Sequence, residues 1–177
     1  MRALIVIDYT FDFIADAGRL TCGKPGQDIE ERIVQLIEEF ADEDYVVVAN
    51  DVHDAGDTYH PETTLFPPHN IRGTEGRELY GAVKTAASRA DHWIDKTRYS
   101  AFAGTDLDLR LRERAITEIH LVGVCTDICV LHTAVDAYNL GYTIVVHADA
   151  VQSFNPVGHA WALEHFVTTL GATVTGK

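Results

Sequence analysis

The sequence predicts an α/β protein: a doubly wound, six-stranded, mostly parallel sheet with helices on both faces. Three observations predict it. Short apolar, β-branched runs recur along the 177 residues, apolar residues at helical spacing separate them, and no repeat or low-complexity stretch interrupts the alternation. Strands that alternate with helices pair in parallel through right-handed crossovers. Domains run to roughly 100–200 residues, so residues 1–177 are expected to form a single domain.

The elements follow in order. Ala3-Leu-Ile-Val-Ile7 is a compact apolar run, the mark of a strand buried on both faces. Ile29, Ile33, Leu36, Ile37 and Phe40 mark a helix over Asp28–Phe40, with Asp28 as N-cap and Glu31 completing a capping-box pattern. Tyr45–Ala49 is the second strand. A long polar loop runs from Asp51 to about Thr74, and a short helix is expected over Glu75–Ser88. His92–Asp95 is the third strand and a helix follows near Asp106–Arg114. Ile119–Val122 is the fourth strand, followed by a helix over Thr126–Leu140 that Gly141 ends. Thr143–Val146, a helix over Pro156–Leu170 and a last strand over Ala172–Val174 complete the chain.

Composition narrows the function classes. Acids outnumber bases, 27 to 14, for a net charge of −13, which repels phosphate backbones and anionic lipid. Nucleic-acid and membrane-surface roles are therefore not expected. No apolar run approaches the ~20 residues of a membrane helix, and Asp8 stops the first run too early for a signal peptide. Cys22, Cys125 and Cys129 are too few for a disulfide framework. The expectation is a cytoplasmic protein with reduced thiols.

Parallel sheets bind ligands beyond the carboxyl ends of their strands. There the sequence places Asp8, then Asp51 and His53, then Lys96, then Gly123-Val-Cys-Thr-Asp127, then Asp149. Each alone is an ordinary loop residue; together they put a carboxylate, an ammonium, a thiol and a metal-binding pair on one rim. Thr126 or Asp127 is expected to cap the following helix, which places Cys129 in its first turn, where unpaired N–H groups favour a thiolate. Cys125 lies before that turn, so Cys129 is the preferred nucleophile. His120 sits within a strand and His132 a turn further on, so Asp8 and Lys96 supply the base and the cation. Asp51 and His53, two apart in extended chain, point the same way. Glu62 and His69 lie downstream, with His60 and His159 as further options. Imidazole plus carboxylate suits Zn²⁺, Fe²⁺ or Mn²⁺.

Four segments, ALIVIDYTFDF, NDVHDAGDTYHPETTLFPPHNIRGTEG, DKTRYSAFAGTDLDLRL and GVCTDICVLHTAVDAYNLGY, resemble the nicotinamidases (pyrazinamidases) of the isochorismatase-like cysteine hydrolase superfamily over nearly the whole chain. The resemblance implies Asp8, Lys96 and Cys129 as a catalytic triad, and Asp51, His53, Glu62 and His69 as ligands of one divalent ion, zinc first, with iron or manganese as alternatives. It implies a cis peptide between Val124 and Cys125, with the backbone N–H groups of Cys125 and Cys129 forming an oxyanion hole. The implied reaction turns nicotinamide, and pyrazinamide-type analogues, into nicotinate and ammonia through a Cys129 thioester, in NAD salvage. Phe13, Phe66 and Tyr99 are candidate aromatic walls around this small-molecule substrate, and a homo-oligomer stays open.

Two departures stand out. Val52 replaces a common Trp, implying a more open pocket wall, and Cys125 replaces a small apolar residue. A Cys125–Cys129 disulfide is the redox reading of the second, weighed below a plain turn-filling role. The rival functions are another hydrolase of the superfamily, acting on isochorismate, N-carbamoylsarcosine or a ureido acid, and a non-catalytic binding protein. A flavodoxin-like nucleotide binder is discounted, because Asp8-Tyr-Thr-Phe stands where a glycine-rich phosphate loop belongs.

Overall fold

The computed structural model describes residues 1–176. Strand β1 (Ala3–Ile7) leads through a single turn, α1 (Phe11–Ile14), to α2 (Gly23–Asp28) and α3 (Glu30–Phe40). Strand β2 (Tyr45–Asp51) opens the long loop, which holds one 3₁₀ turn at Pro61–Thr64. Then come α4 (Gly81–Ala86), β3 (His92–Lys96), α5 (Leu107–Glu113) and β4 (Glu118–Val124). A π-helical turn over Thr126–Val130 feeds α6 (Leu131–Asn139), and β5 (Thr143–Gln152), α7 (Pro156–Thr168) and β6 (Thr173–Thr175) follow.

The sheet order is β3-β2-β1-β4-β5-β6, with every pairing parallel. All five residues of β1 are fully buried, as its two-faced apolar run requires. Ala3, Ile5 and Ile7 pack on one face with residues of α5, α6 and α7, and Leu4 and Val6 on the other with residues of α1, α3 and α4. The order of connection reverses between β1 and β4, which is where such a sheet opens a crevice at its carboxyl end.

Four expectations need correction. Asp28 does not cap α3. Ile29 occupies that position with near-helical angles and no side-chain cap, because α2 runs almost directly into α3 and Asp28 pairs with Lys24 instead. The helix expected over Glu75–Ser88 is broken into a 3₁₀ turn at Glu75–Arg77, α4 and a second 3₁₀ turn at Ala87–Arg89. Residues 78–80 are extended there, pairing with the exit of β1 through Phe11 N–H to Glu78 O (2.8 Å) and Tyr80 N–H to Tyr9 O (3.0 Å). Neither Thr126 nor Asp127 caps the helix after β4. Their side chains are taken by His159 (2.8 Å) and Ser153 (2.6 Å), and the turn is closed by Val130 N–H donating to Cys125 O, five residues back. Asp149 lies inside β5, not beyond it, and pairs with Arg32 of α3 at 3.1 Å. Among the described residues, no helix is long and apolar enough to cross a membrane.

Candidate active site

Four adjacent strands deliver the polar groups. Asp8 follows β1, Asp51 ends β2, Lys96 ends β3 directly beside Asp51, and Cys125 and Cys129 follow β4. Asp8 holds a left-handed backbone, φ 53°, which Asp tolerates better than most residues. That twist turns its carboxylate under the rim, where Oδ1 accepts a 2.6 Å hydrogen bond from the Asp51 N–H. Gly123 makes the neighbouring turn feasible: at φ 109°, a Cβ there would lie 1.9 Å from the Ile7 carbonyl oxygen. The Val124–Cys125 peptide is cis.

Asp8, Lys96 and Cys129 meet. Lys96 Nζ lies 2.7 Å from Asp8 Oδ2, an ion pair without ideal hydrogen-bond alignment, and 3.6 Å from Cys129 Sγ. It also lies 3.7 Å from Asp51 Oδ1. Burial works against the Lys96 charge, but Asp8, Cys129 and Asp51 outweigh it and raise the pKa above its ordinary value. Burial raises the Asp8 pKa, with Lys96 opposing. Burial also pushes the Cys129 thiol well above its usual value; Lys96 opposes, and Asp8 and Asp51 add to the rise. Burial and the two carboxylates thus oppose the thiolate that the helix-end position favours, while Lys96 supports it and Asp8 is at hand as a proton acceptor.

Asp51, His53, Glu62 and His69 place one donor atom each within 4.8 Å of one another. His53 Nε2 is 2.7 Å from Asp51 Oδ2, and His69 Nε2 is 3.4 Å from Asp51 and 3.5 Å from Glu62. His69 Nδ1 is 2.8 Å from the Pro67 carbonyl; an N–H donated there directs Nε2 at the group. Burial lowers the His69 pKa, but the nearby Asp51 and Glu62 carboxylates outweigh that and bring it to about 10, so the group is a focus of negative potential. Asp51 Oδ1 and His69 Nε2 are buried without a hydrogen-bond partner, which fits a cation bound by this group. Two imidazoles and two carboxylates suit zinc, iron or manganese.

The isochorismatase domain matches residues 2–177. The chain belongs to the isochorismatase family. It is 64% identical over 179 residues to the uncharacterized isochorismatase family protein PncA of Bacillus subtilis, covering 98% of each chain. Its structure is similar to the crystal structure of nicotinamidase/pyrazinamidase PncA from Bacillus subtilis, with a TM-score of 0.95, 60% identity, and 99% and 100% of the two chains covered. It is also similar to the pyrazinamidase of Pyrococcus horikoshii in complex with zinc, with a TM-score of 0.86, 29% identity and 99% of both chains covered.

In this isochorismatase-family fold the thiol and the carboxylate–imidazole group share one cleft. Phe13, Phe66 and Tyr99 line it, with Asp51, Glu62, His69, Cys125 and Cys129. Leu20, Ile128 and Phe154 line it too; nothing in their spacing singled them out. Val52 is buried and is not among the residues that line the cleft. His60 and His159 stay outside the four-residue group. His60 Nε2 meets the Thr97 carbonyl at 2.6 Å while Nδ1 accepts the Glu62 N–H, and His159 bonds Thr126. Cys125 Sγ touches Cys22, not Cys129, at 3.7 Å.

Two further supports escaped the sequence reading. Asp12 Oδ2 accepts the Asn70 N–H at 2.8 Å, and Thr10 Oγ1 donates to Asn70 Oδ1 at 2.9 Å, which anchors the loop beside His69. The buried acid of Asp-Phe after β1 was the available signal.

Proposed function

We propose that residues 1–177 form one catalytic domain, a metal-containing cysteine amidohydrolase that converts nicotinamide to nicotinate and ammonia. The observation that carries the reading is Lys96 Nζ, 2.7 Å from Asp8 and 3.6 Å from Cys129, with Cys129 lining the same cleft as Asp51, Glu62 and His69 of the four-ligand group. Similarity to the Bacillus subtilis nicotinamidase/pyrazinamidase supports the substrate, and similarity to the zinc-bound Pyrococcus enzyme supports zinc.

Asp51, His53, Glu62 and His69 would hold the ion, which supplies Lewis acidity at the ring end of the substrate. Phe13, Phe66 and Tyr99 flank the ring. The Cys129 thiol passes its proton to Asp8, and the sulfur attacks the carboxamide carbon. Lys96 balances the charge that develops on sulfur and carboxylate. The backbone N–H groups of Cys125 and Cys129 hold the oxyanion, where one donor is worth about 3–4 kcal/mol. Asp8 returns the proton to departing ammonia, then draws one from water as that water opens the thioester.

The test compares ammonia release from nicotinamide and N-carbamoylsarcosine, by wild type and Cys129→Ala, with mass spectrometry of the quenched wild type and elemental analysis. Nicotinamide-specific release, an acyl adduct on Cys129 and loss of turnover in the variant are expected. Wild-type turnover by Cys129→Ala overturns the assignment.

A further inference from the structure

Cys22 and Cys125 are 103 residues apart in sequence, yet their sulfurs are in contact at 3.7 Å, both buried and both free. The proposed reaction uses neither thiol. Cys22 is fixed by its backbone, since its N–H donates to the Phe13 carbonyl at 2.7 Å and its Cβ faces Gly26, where an added Cβ would lie 2.8 Å away. Cys125 has a different environment. It lines the cleft beside Leu20 and Cys129, whereas Cys22 sits behind it. A reagent that enters the cleft therefore meets Cys125 first and finds a second thiol at contact distance.

We propose that Cys22 and Cys125 are a redox modification site, an oxidisable dithiol that a hydroperoxide converts into a disulfide. The chemistry balances in two steps. The Cys125 thiol attacks the peroxide, its sulfur gaining one oxygen while the O–O bond breaks and an alcohol or water leaves, giving a sulfenic acid. Cys22 then displaces that hydroxyl, the S–S bond forms and water departs. The sulfurs close from contact to about 2.05 Å, within reach of side-chain rotation when Cα positions suit. The cleft holds about 20 Å³ of internal space, room for a water-sized molecule such as hydrogen peroxide. The hydrogen bond to Cys22, and then burial, raise the Cys125 pKa, so the oxidation quickens with rising pH. Closing the bond pulls on Cys125, whose N–H belongs to the proposed oxyanion hole, so oxidation lowers turnover and reduction restores it.

Full-length protein is treated with hydrogen peroxide, quenched with N-ethylmaleimide and digested without reduction for peptide mapping. The expected product is a Cys22–Cys125 cross-linked peptide, at least tenfold more abundant than any Cys125–Cys129 peptide and removed by dithiothreitol. The same bond is expected in Cys129→Ala and not in Cys22→Ala, which should keep its basal activity. A dominant Cys125–Cys129 peptide, free Cys22 and Cys125 beside over-oxidised Cys129, or no cross-link in Cys129→Ala, each overturns the proposal. The mapping does not involve turnover, so its failure leaves the amidohydrolase reading untouched.

Discussion

Lys96 has no accessible surface, yet its ammonium lies among Asp8, Asp51 and the Cys129 sulfur. A buried cation this enclosed is held by its partners, and they by it. Lys96→Met keeps the volume and leaves two buried carboxylates facing each other, which typically costs about 3–5 kcal/mol. Urea denaturation of the chelator-treated variant is expected to show that loss together with loss of turnover. An unchanged midpoint would mean that the carboxylates find protons or water instead. The site's constituents were legible at this scale because each sits at a strand end in sequence order. The balance of charge around the sulfur was not, because it depends on how many carboxylates surround Cys129, and the fold decides that.

The turn after β4 shows what an element must give up to carry such a site. Gly123→Ala places a methyl group 1.9 Å from the Ile7 carbonyl, the residue before Asp8, at a φ that disfavours any side chain. Chemical denaturation is expected to show a loss of several kcal/mol, roughly the upper range for single substitutions, and turnover should fall as β1 shifts. At the other end of the sheet, His120 on β4 and His147 on β5 meet at 2.9 Å. Burial first, then His120 and Arg32, push the His147 pKa down to about 4, with Asp149 and Glu39 opposing. An unfolded histidine titrates near 6.5. Between those values the unfolded chain binds a proton that the folded one refuses, so stability rises with pH across that window and is lost as pH falls from about 6.5 to about 4. Denaturation midpoints measured over this range should flatten in His147→Gln. The strands and most helices could be read from apolar runs, whereas the broken helix at residues 75–89 could not. Leu79 and Tyr80 stand at helical spacing from Val83, but partners on the exit of β1 claim their backbone. The turn at Thr126–Val130 misled for the same reason, since His159 and Ser153 take its capping side chains.

For the whole molecule, the metal group and the cleft set the response to ligands. An ion at about 100-fold its Kd contributes roughly 2.7 kcal/mol, which for a chain of this size raises Tm by roughly 5–10 °C. Calorimetry with zinc and with chelator is expected to show that shift, and Glu62→Gln to reduce it. A shift unchanged in the variant would remove Glu62 from the ligand set. The cleft holds about 20 Å³ and shares Glu62, Phe66 and His69 with an adjoining cavity of about 210 Å³. The 2.6 Å bond from the Asp51 amide to Asp8 ties the proton carrier we propose to the main chain of a residue we propose as a metal ligand. Exchanging the ion for one of different radius would therefore tilt the acid as well as the ligand, and a metal swap would register in the proton-transfer step, far from the ring it was chosen to hold.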